Sequence, residues 1–479
     1  MKEHLKQISP VIWEIEKGVK SFMNTSARVF ATEEMLPQIT KDRTLDQLVN
    51  VTSLPGILSY AIVMPDAHEG YGFPIGGLAA MDLDNGVISP GGIGYDINCG
   101  IRLLKTQFEL EDIKEKIPAL AKEIYHAVPS GVGKSGKTVL NEKEMDKVLN
   151  YGCKWAEQEG YAEERDLSFI ESGGYLESAD ASAVYQNAKG RGRDQLGTMG
   201  AGNHFVEINY VQQIFDEETA AIYGLHSKQI VIQIHTGSRG LGHQVATDYI
   251  RKMVSLVPAY GIILPDRELS CVPISSPEGR AYFAAMCASA NFAWANRQLI
   301  TWEIREAMRN VFGKSTGSID LLYDVAHNIA KIEEHIINGE KQKVMVHRKG
   351  ATRAFPAGHP DVTPEYRGVG QPVLIPGSMG TSSYVLAGMP GSMEYSFGSS
   401  CHGSGRLLSR TAARKRIRGE ELQKELLDRG IEVQTGSMKG LAEEAPEAYK
   451  DVESVVNVVE LAGIAKKIAR LKPLAVIKG

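Results

Sequence analysis

Glycine-rich polar turns, spread across most of this 479-residue chain, constrain its fold more than any other sequence feature. They lie at residues 70–77, 91–100, 197–202, 237–242, 377–380 and 398–405. Because glycine has no Cβ atom, it adopts positive φ and lets the backbone approach a ligand closely. Such turns often line phosphate or metal sites. Their wide separation in sequence therefore predicts one site assembled from distant segments.

Helical and strand patterns are mixed along the chain without regular alternation. Apolar residues recur at helical spacing in four segments: 10–24, 111–126, 280–312 and 406–428. Short β-branched or alternating runs, bounded by Pro, Gly or Asp, predict strands at 61–64, 229–234, 343–346 and 373–375. This mixture favours an α+β fold over a doubly wound sheet. We expect a single large mixed domain over residues 1–479, with central β-structure surrounded by helices.

The composition excludes several classes of protein. With 43% hydrophobic and 23% charged residues and no low-complexity tract, the chain should bury a sizeable core. The first residues lack an apolar signal core, and no apolar run approaches the roughly 20 residues of a membrane helix. We therefore expect a cytoplasmic protein without membrane association. The five scattered cysteines do not suggest a disulfide framework, and a net charge of -5 argues against nonspecific coating of nucleic acid.

One segment, from Gly131 to Thr138, matches the phosphate-binding pattern G-x-x-x-x-G-K-[ST] letter for letter. Alone, this match predicts an NTPase or a kinase. The mechanism, however, needs a strand before the loop and a helix after it, so that backbone N–H groups meet the phosphates. The preceding residues 113–128 have helical periodicity instead. We therefore predict a glycine–lysine loop here, with a P-loop enzyme as the alternative.

A dispersed set of metal-type side chains carries a stronger signal. Each of its members lies in a polar or glycine-rich setting: Asp96, Cys99, His204, His235 and His327. A thiolate, a carboxylate and three imidazoles suffice to hold two divalent ions, particularly if the thiolate bridges them. Two ions are what phosphoryl transfer often uses. From the residue types alone, hydrogen-bonded structural histidines and a buried cysteine are equally compatible with this set.

Six stretches together resemble the RtcB family of RNA ligases. They are PDAHEGYGFPIGG (65–77), GYDINCG (94–100), GNHFVE (202–207), HTGSRG (235–240), DVAHN (324–328) and SFGSSCHGSGR (396–406). They follow the family's order and reach from near residue 60 to the C-terminal region. The combination is highly specific, unlike any one stretch by itself. The resemblance implies the RtcB type of fold for the predicted α+β domain.

The resemblance also implies a reaction. The family joins an RNA 2',3'-cyclic phosphate or 3'-phosphate end to a 5'-hydroxyl end, using GTP and manganese. His402 would attack the α-phosphate of GTP, the guanylyl group would pass to the RNA 3'-phosphate, and the 5'-hydroxyl would displace GMP. The implied substrates are split tRNA exons or broken RNA. We expect a monomer, and archease is a candidate activating partner whose requirement the sequence leaves open.

By this resemblance Cys99 bridges two manganese ions, one completed by Asp96 and His204, the other by His235 and His327. The residues implied around the guanine nucleotide are Asn203, His204, Phe205, Val206, Glu207, His327, Asn328, Pro376, Gly377, Ser378, Met379, Ser383, His402, Gly403, Ser404, Gly405, Tyr449 and Lys478. Glu207 could accept from guanine N1–H and its amino group, and Phe205 or Tyr449 could stack on the base.

Arginines follow His402 at intervals of four, at positions 406, 410, 414 and 418. On one helix this spacing forms a stripe that starts beside the nucleophile. We predict RNA or phosphate contacts for Arg406, Arg410 and Arg239, and supporting or RNA-facing positions for Asp66 and His68. Two rival functions stay open besides the P-loop enzyme. One is a two-metal phosphoesterase that needs no nucleotide, and the other is a nonenzymatic RNA-binding protein.

Overall fold

The computed structural model describes residues 1–479 and contains two large, mainly antiparallel sheets. The strands are β1 (Lys6–Ser9), β2 (Ile12–Ile15), β3 (Ser26–Phe30), β4 (Ile57–His68), β5 (Ile75–Asp82), β6 (Val87–Ile88), β7 (Gly100–Glu109), β8 (Phe205–Ile214), β9 (Gln229–Thr236), β10 (Val272–Pro273), β11 (Ile319–Ala326), β12 (Asn328–Ile337), β13 (Glu340–Lys349), β14 (Ala351–Arg353), β15 (Pro372–Ile375), β16 (Ser383–Gly388), β17 (Ser399–Cys401), β18 (Glu432–Thr435) and β19 (Ala465–Lys478).

The α-helices surround these sheets. They are α1 (Leu36–Ile39), α2 (Thr44–Val51), α3 (Leu110–Ile113), α4 (Ile117–Ala127), α5 (Glu142–Tyr151), α6 (Cys153–Gln158), α7 (Gln186–Gly192), α8 (Glu217–Tyr223), α9 (Arg239–Leu256), α10 (Pro277–Phe312), α11 (Pro390–Tyr395), α12 (Arg410–Arg416), α13 (Gly419–Asp428), α14 (Met438–Glu443) and α15 (Val452–Leu461). None of these helices combines the length and the apolar character needed to span a bilayer.

The first sheet has the order β1-β2-β3-β4-β5-β13-β12, and the second has the order β11-β7-β9-β8-β19-β16-β15, with β18 added beside β19. Only the β3–β4 and β18–β19 pairs of these two sheets are parallel. Strands and helices are therefore mixed without the alternation of a doubly wound sheet, and the predicted α+β class is confirmed.

The main core is a cluster of 126 buried apolar residues that extends along the chain from Val11 to Ile477. The longest helix, α10, packs against α4, α5, α6 and α9 and buries residues around most of its circumference. A helix that is buried on several faces carries apolar residues all round. Its polar side chains Asn291, Asn296, Arg297 and Arg305 are nevertheless buried, because each has hydrogen-bond partners inside the protein.

The four strands predicted from short apolar runs are confirmed, since they lie within β4, β9, β13 and β15. The helix predicted at 280–312 is confirmed within α10. The segment 111–126 is helical in two pieces, α3 and α4, with a tighter turn between them ahead of Pro118.

The helix predicted at 10–24 is wrong. Residues 12–15 form strand β2, which pairs with β1 on one side and β3 on the other. Val11, Ile12 and Ile15 are buried, and their branched side chains suit a pleated strand. Pro10 precedes strand β2, and Gly18 interrupts the segment after it. The apolar spacing matched a helix, but sheet pairing decided the outcome.

The single helix predicted at 406–428 is also wrong, because the segment forms the two short helices α12 and α13. Ser409 caps α12 with its hydroxyl, which accepts from the Ala412 N–H at 3.2 Å. Arg406 therefore precedes the helix, and Arg418 lies at the cap of α13. The expected arginine stripe does not form.

Candidate active site

One edge of the second sheet brings the distant metal-type residues together. Strands β7 and β8 start at this edge, and β9, β11 and β19 end there, because neighbouring antiparallel strands place the start of one beside the end of the next. Cys99 immediately precedes β7, and His204 immediately precedes β8. His235 and His327 lie at the ends of β9 and β11, and Lys478 ends β19.

The five metal-type side chains form two groups of three that share Cys99. The first group holds Asp96, Cys99 and His204, with His204 Nε2 2.8 Å from Asp96 Oδ2 and 3.4 Å from Cys99 Sγ. The second holds Cys99, His235 and His327, with His235 Nε2 3.2 Å from the sulfur and 3.3 Å from His327 Nε2. Within each group the ligand atoms lie within 4.8 Å of one another.

This arrangement fits a pair of metal ions. Ligands about 2.0–2.3 Å from a shared ion lie roughly 3–4 Å from each other, as the sulfur and the Nε2 atoms do here. The Nε2 atoms of His235 and His327 face each other, while their buried Nδ1 atoms have no hydrogen-bond partner. The assignment as a metal site rests on the convergence of the two Nε2 atoms with the Cys99 sulfur.

The environment sets the protonation of these ligands. Burial, followed by electrostatic repulsion from neighbouring imidazoles, holds the pKa values of His235 and His327 well below 6.5, so both rings are neutral ligands. Burial and the nearby Asp96 carboxylate raise the pKa of the Cys99 thiol. Burial alone would raise the pKa of Asp96, but the hydrogen bond from His204 keeps it below 3.8. Of these four groups, only the thiol must lose its proton to bind a cation.

A fully buried arginine on α10 holds the ligand-bearing segments in place. Arg297 Nη1 donates to the backbone carbonyls of Asn98 at 2.8 Å and Thr236 at 2.9 Å. Its Nε and Nη2 donate to the two carboxylate oxygens of Asp324 at 2.8 and 2.9 Å. Asn98 precedes Cys99, Thr236 follows His235, and Asp324 lies in β11, which leads to His327. One guanidinium therefore links the segments that carry three of the ligands.

His402 lies next to the second metal group. Its ring centroid is 5.1 Å from that of His327, in an edge-to-face arrangement. His402 Nδ1 lies 2.6 Å from Asp66 Oδ2, and the same oxygen accepts the backbone N–H groups of His402 at 2.9 Å and Gly403 at 3.2 Å. Gly405 is required at the end of this turn, because it has a φ of 74° and a Cβ there would lie 2.0 Å from the Asp66 carbonyl oxygen.

The Asp66 carboxylate is fully buried and ionised. Burial alone would raise its pKa, but His402 and the Lys450 ammonium hold the pKa below its ordinary value of 3.8. Lys450 Nζ donates to the carbonyls on both sides of Asp66, those of Pro65 at 3.0 Å and Ala67 at 2.5 Å. An ionised carboxylate accepts, so Nδ1 of His402 carries a proton, and in the neutral ring the lone pair lies on Nε2.

A cavity of about 850 Å³ opens over these groups. It contains all five metal-type residues and His402. Other residues assigned to nucleotide or RNA binding also line it: Asn203, Phe205, Asn328, Pro376, Gly377, Ser378, Met379, Gly403, Ser404, Gly405, Arg406, Arg410, Tyr449, Lys478 and Arg239. Lys478 is buried, and its Nζ donates to the Gly202 carbonyl at 2.7 Å, so the last strand is docked against the sheet.

Three residues assigned to the nucleotide do not line the cavity: Val206, Glu207 and Ser383. Ser383 lies behind the wall and accepts the Gly377 N–H at 3.0 Å. Glu207 is buried one step deeper on the same face of β8 as Phe205, and burial raises its pKa to about 8, although the Lys478 cation opposes the rise. A nucleobase would therefore have to pass Phe205 to reach this carboxyl group.

Arg406 and Arg410 share a buried acid that the sequence pattern did not reveal. Arg406 Nη1 lies 3.1 Å from both carboxylate oxygens of Glu444, and Arg410 Nε lies 3.5 Å from one of them. Tyr449 also donates to Glu444 and accepts from Arg406 at 2.9 Å. The Arg406 charge is thus largely balanced within the protein, whereas Arg410 keeps an exposed side chain at the cavity mouth.

The P-loop match has the wrong surroundings for a nucleotide site. Helix α4, not a strand, precedes it, and no helix begins until Glu142. Lys137 forms an ion pair with Glu303 at 2.5 Å instead of pointing to a phosphate position. The predicted loop is confirmed.

Further cavity residues had no assigned role in the sequence analysis: Tyr71, Tyr95, Arg191, Gln195, His243 and Lys349. Tyr71 and Tyr95 fall inside stretches that resemble the family, so their position was detectable there. Lys349 is the last residue of β13 and lies outside every motif. Its Nζ donates to the carbonyls of Tyr71 and Phe73, and burial lowers its pKa to about 7.

Comparison with known proteins identifies the family. A family model described as tRNA-splicing ligase RtcB matches residues 47–479. The chain is 56% identical over 477 residues to the tRNA-splicing ligase RtcB of Thermococcus kodakarensis, with 99% of both chains covered. It is 50% identical over 481 residues to that of Archaeoglobus fulgidus, with 100% of both chains covered. The resemblance found in the six stretches is confirmed, and this chain belongs to the RtcB family of tRNA-splicing ligases.

Proposed function

We propose that this protein is a GTP- and manganese-dependent RNA ligase that works through a guanylylated His402. It would join a 2',3'-cyclic phosphate or 3'-phosphate end to a 5'-hydroxyl end. Family membership supports the ligase reaction and an RNA substrate. The observation that carries the mechanism is the 2.6 Å contact between His402 Nδ1 and Asp66, beside a metal-type ligand set.

In the proposed first step, His402 Nε2 attacks the α-phosphorus of GTP. A nitrogen–phosphorus bond forms, the bond to the bridging oxygen breaks, and pyrophosphate leaves with that electron pair. Asp66 supports this step because it accepts from Nδ1–H and so keeps the lone pair on Nε2. The imidazole gains positive charge as the bond forms, and the buried carboxylate stabilises that charge.

Cys99 would bridge two manganese ions, one held with Asp96 and His204, the other with His235 and His327. When bound, such a pair neutralises phosphate oxygens and assists the leaving group. We assign manganese from the family resemblance, because the ligand types alone favour later transition metals. The contribution of the chain is a set of neutral imidazoles and an ionised carboxylate, preorganised by Arg297.

The guanine nucleotide would occupy the cavity between His402 and Lys478. Gly403 and Ser404 follow the nucleophile, and the buried Ser404 hydroxyl has no hydrogen-bond partner in the protein, which suits a phosphate oxygen. Phe205 lies at the other end beside Lys478, where a base can stack. We propose that Glu207 recognises the guanine edge only after Phe205 has moved aside, because its carboxyl group lies outside the cavity wall.

The steps on RNA would take place in the same cavity. A cyclic phosphate would first be opened by water, and the 3'-phosphate would then take the guanylyl group from His402. The 5'-hydroxyl would attack the activated phosphate and release GMP. Arg239 and Arg410 at the cavity wall are the proposed phosphate contacts. Arg406 is instead paired with Glu444. Split tRNA exons or broken RNA as substrates, activation by archease, a monomeric state and a cytoplasmic location belong to this proposal.

The test is self-guanylylation. The protein is incubated with manganese and α-labelled GTP, and acid-labile label on the chain is measured. We expect label on the unaltered protein and on Lys137→Ala, and none on His402→Ala. Label that persists in His402→Ala, or that disappears in Lys137→Ala, would contradict the proposal. A two-metal phosphoesterase instead predicts cleavage of cyclic phosphate without any need for GTP or for His402.

A further inference from the structure

The glycine–lysine loop that resembles a P-loop lies at the mouth of the active-site cavity. It connects α4 to α5, and Val132 and Gly133 at its tip form part of the cavity wall, together with Arg191 and Arg239. The side chain of Val132 is 88% exposed, so this tip projects into solvent beside the opening. The proposed ligase mechanism assigns no task to it.

The two ends of the loop are anchored while its tip is free. Gly131 N–H donates to the Met199 carbonyl at 3.1 Å, and its own carbonyl accepts from Arg239 Nη2 at 3.0 Å. At the other end, Gly136 N–H donates to the Asp194 carbonyl at 2.6 Å. Between these anchors residues 131–134 form a turn, and the backbone N–H groups of Val132 and Gly133 donate to no protein acceptor.

The two lysines of the loop differ in whether an acidic side chain pairs with them. Lys137 is paired with Glu303, whereas Lys134 is exposed and forms no ion pair. The stem of Lys134 lies over Gly131, which bonds to Arg239. Gly133 has a φ of 66° and open space where a Cβ would stand. Free N–H groups beside an unpaired cation can bind an anion. Arg191 and Arg239 add two further cations to the same part of the cavity wall.

We propose that the tip of this loop, with the Lys134 ammonium and the N–H groups of Val132 and Gly133, binds the phosphate backbone of the RNA strand that enters the cavity. The proposal rests on the proposed ligase function. Val132 would lie against a sugar or base, because its apolar side chain is exposed beside the phosphate contacts. A nucleotide is disfavoured as the occupant, since the loop lacks the helix N-terminus that a triphosphate site uses.

The test compares matched variants of the two lysines, Lys134→Ala and Lys137→Ala, with Lys134→Arg as the conservative variant. Binding of a fluorescent single-stranded RNA with a 3'-phosphate is measured over a series of KCl concentrations. For Lys134→Ala we expect affinity to fall about threefold to tenfold, equally for several RNA sequences, and the salt slope to decrease by about 0.7. Lys134→Arg and Lys137→Ala should bind like the unaltered protein.

Self-guanylylation with labelled GTP is measured on the same samples, and it should be unchanged in all three variants. Unaltered RNA affinity and salt slope in Lys134→Ala would overturn the proposal. Loss of guanylylation in Lys134→Ala would also overturn it, because the loop would then bind the nucleotide. If the unaltered protein takes no label but Lys134→Ala still weakens RNA binding, the proposed ligase mechanism fails while the assignment of the loop stands.

Discussion

His402 and Asp66 lie 336 positions apart in sequence, yet His402 Nδ1 approaches Asp66 Oδ2 to 2.6 Å. The same carboxylate oxygen also accepts two backbone N–H groups from the turn that carries His402. Asp66 therefore orients both the ring and its backbone. Lys450, which binds the carbonyls on either side of Asp66, fixes the carboxylate in turn.

We predict that Asp66→Asn lowers the rate of self-guanylylation by roughly 10²- to 10⁴-fold, as loss of an orienting carboxylate does in other histidine-dependent sites. The amide keeps the shape but loses the charge that holds the proton on Nδ1. Single-turnover labelling with α-labelled GTP measures the effect. Manganese affinity serves as the control and should be unchanged, because Asp66 is in neither metal group. A rate near that of the unaltered protein would show that Asp66 does not set the tautomer.

We predict that Arg297→Lys weakens manganese binding by about 10- to 100-fold, because the supporting partners of metal ligands contribute on that scale. A lysine cannot reach the carbonyls of Asn98 and Thr236 and the Asp324 carboxylate together. Titration calorimetry on the nucleotide-free protein measures the affinity. The matched control is Arg305→Lys on the same helix, whose guanidinium pairs with Asp166 and donates to the Ile319 carbonyl at the end of β11 far from His327. Both variants should lose stability, but only Arg297→Lys should lose metal affinity.

We predict that manganese binding at neutral pH releases about one proton per metal pair. Burial keeps the pKa of Cys99 above its ordinary value, so the thiol is protonated before the cation binds. His235 and His327 are already neutral and Asp96 is already ionised. The apparent affinity should therefore rise about tenfold per pH unit while the thiol remains protonated. Calorimetry in buffers with different ionisation enthalpies counts the proton, and a count of zero would exclude Cys99 as a thiolate ligand.

We predict a pH-dependent stability that originates at Glu207. Its pKa is about 8 in the folded protein, against 4.5 for an ordinary glutamate. Between these two values the unfolded chain ionises while the folded chain stays protonated, so stability falls as the pH rises. The loss should be about 1.4 kcal/mol per pH unit from about pH 5 to pH 8. Urea denaturation across this range checks it, with Glu207→Gln as the reference that lacks this slope. Parallel curves for both proteins would contradict the raised pKa.

The sequence predicted the fold class, and it predicted those parts of the structure that depend on patterns within short segments. Short branched runs identified β4, β9, β13 and β15, and the long apolar periodicity identified α10. It failed at residues 10–24, where the apolar spacing suits a helix but pairing with β1 and β3 makes a strand. The arginine spacing after His402 failed for a similar reason. Arg406 bonds to Glu444, a residue with no motif, and the chain enters a helix only at Arg410.

By its sequence alone, this chain determined which chemical groups are available: a cysteine, a carboxylate, several histidines and the glycine turns that let backbones approach one another. It also determined the family, through stretches that keep one order along the chain. The tertiary structure decided which of these groups meet. Antiparallel pairing places strand starts beside strand ends, so Cys99, His204 and His235 converge at one edge. The roles of Asp66, Lys450 and Arg297 depend on contacts between residues 61 to 385 positions apart, and no local pattern records such contacts.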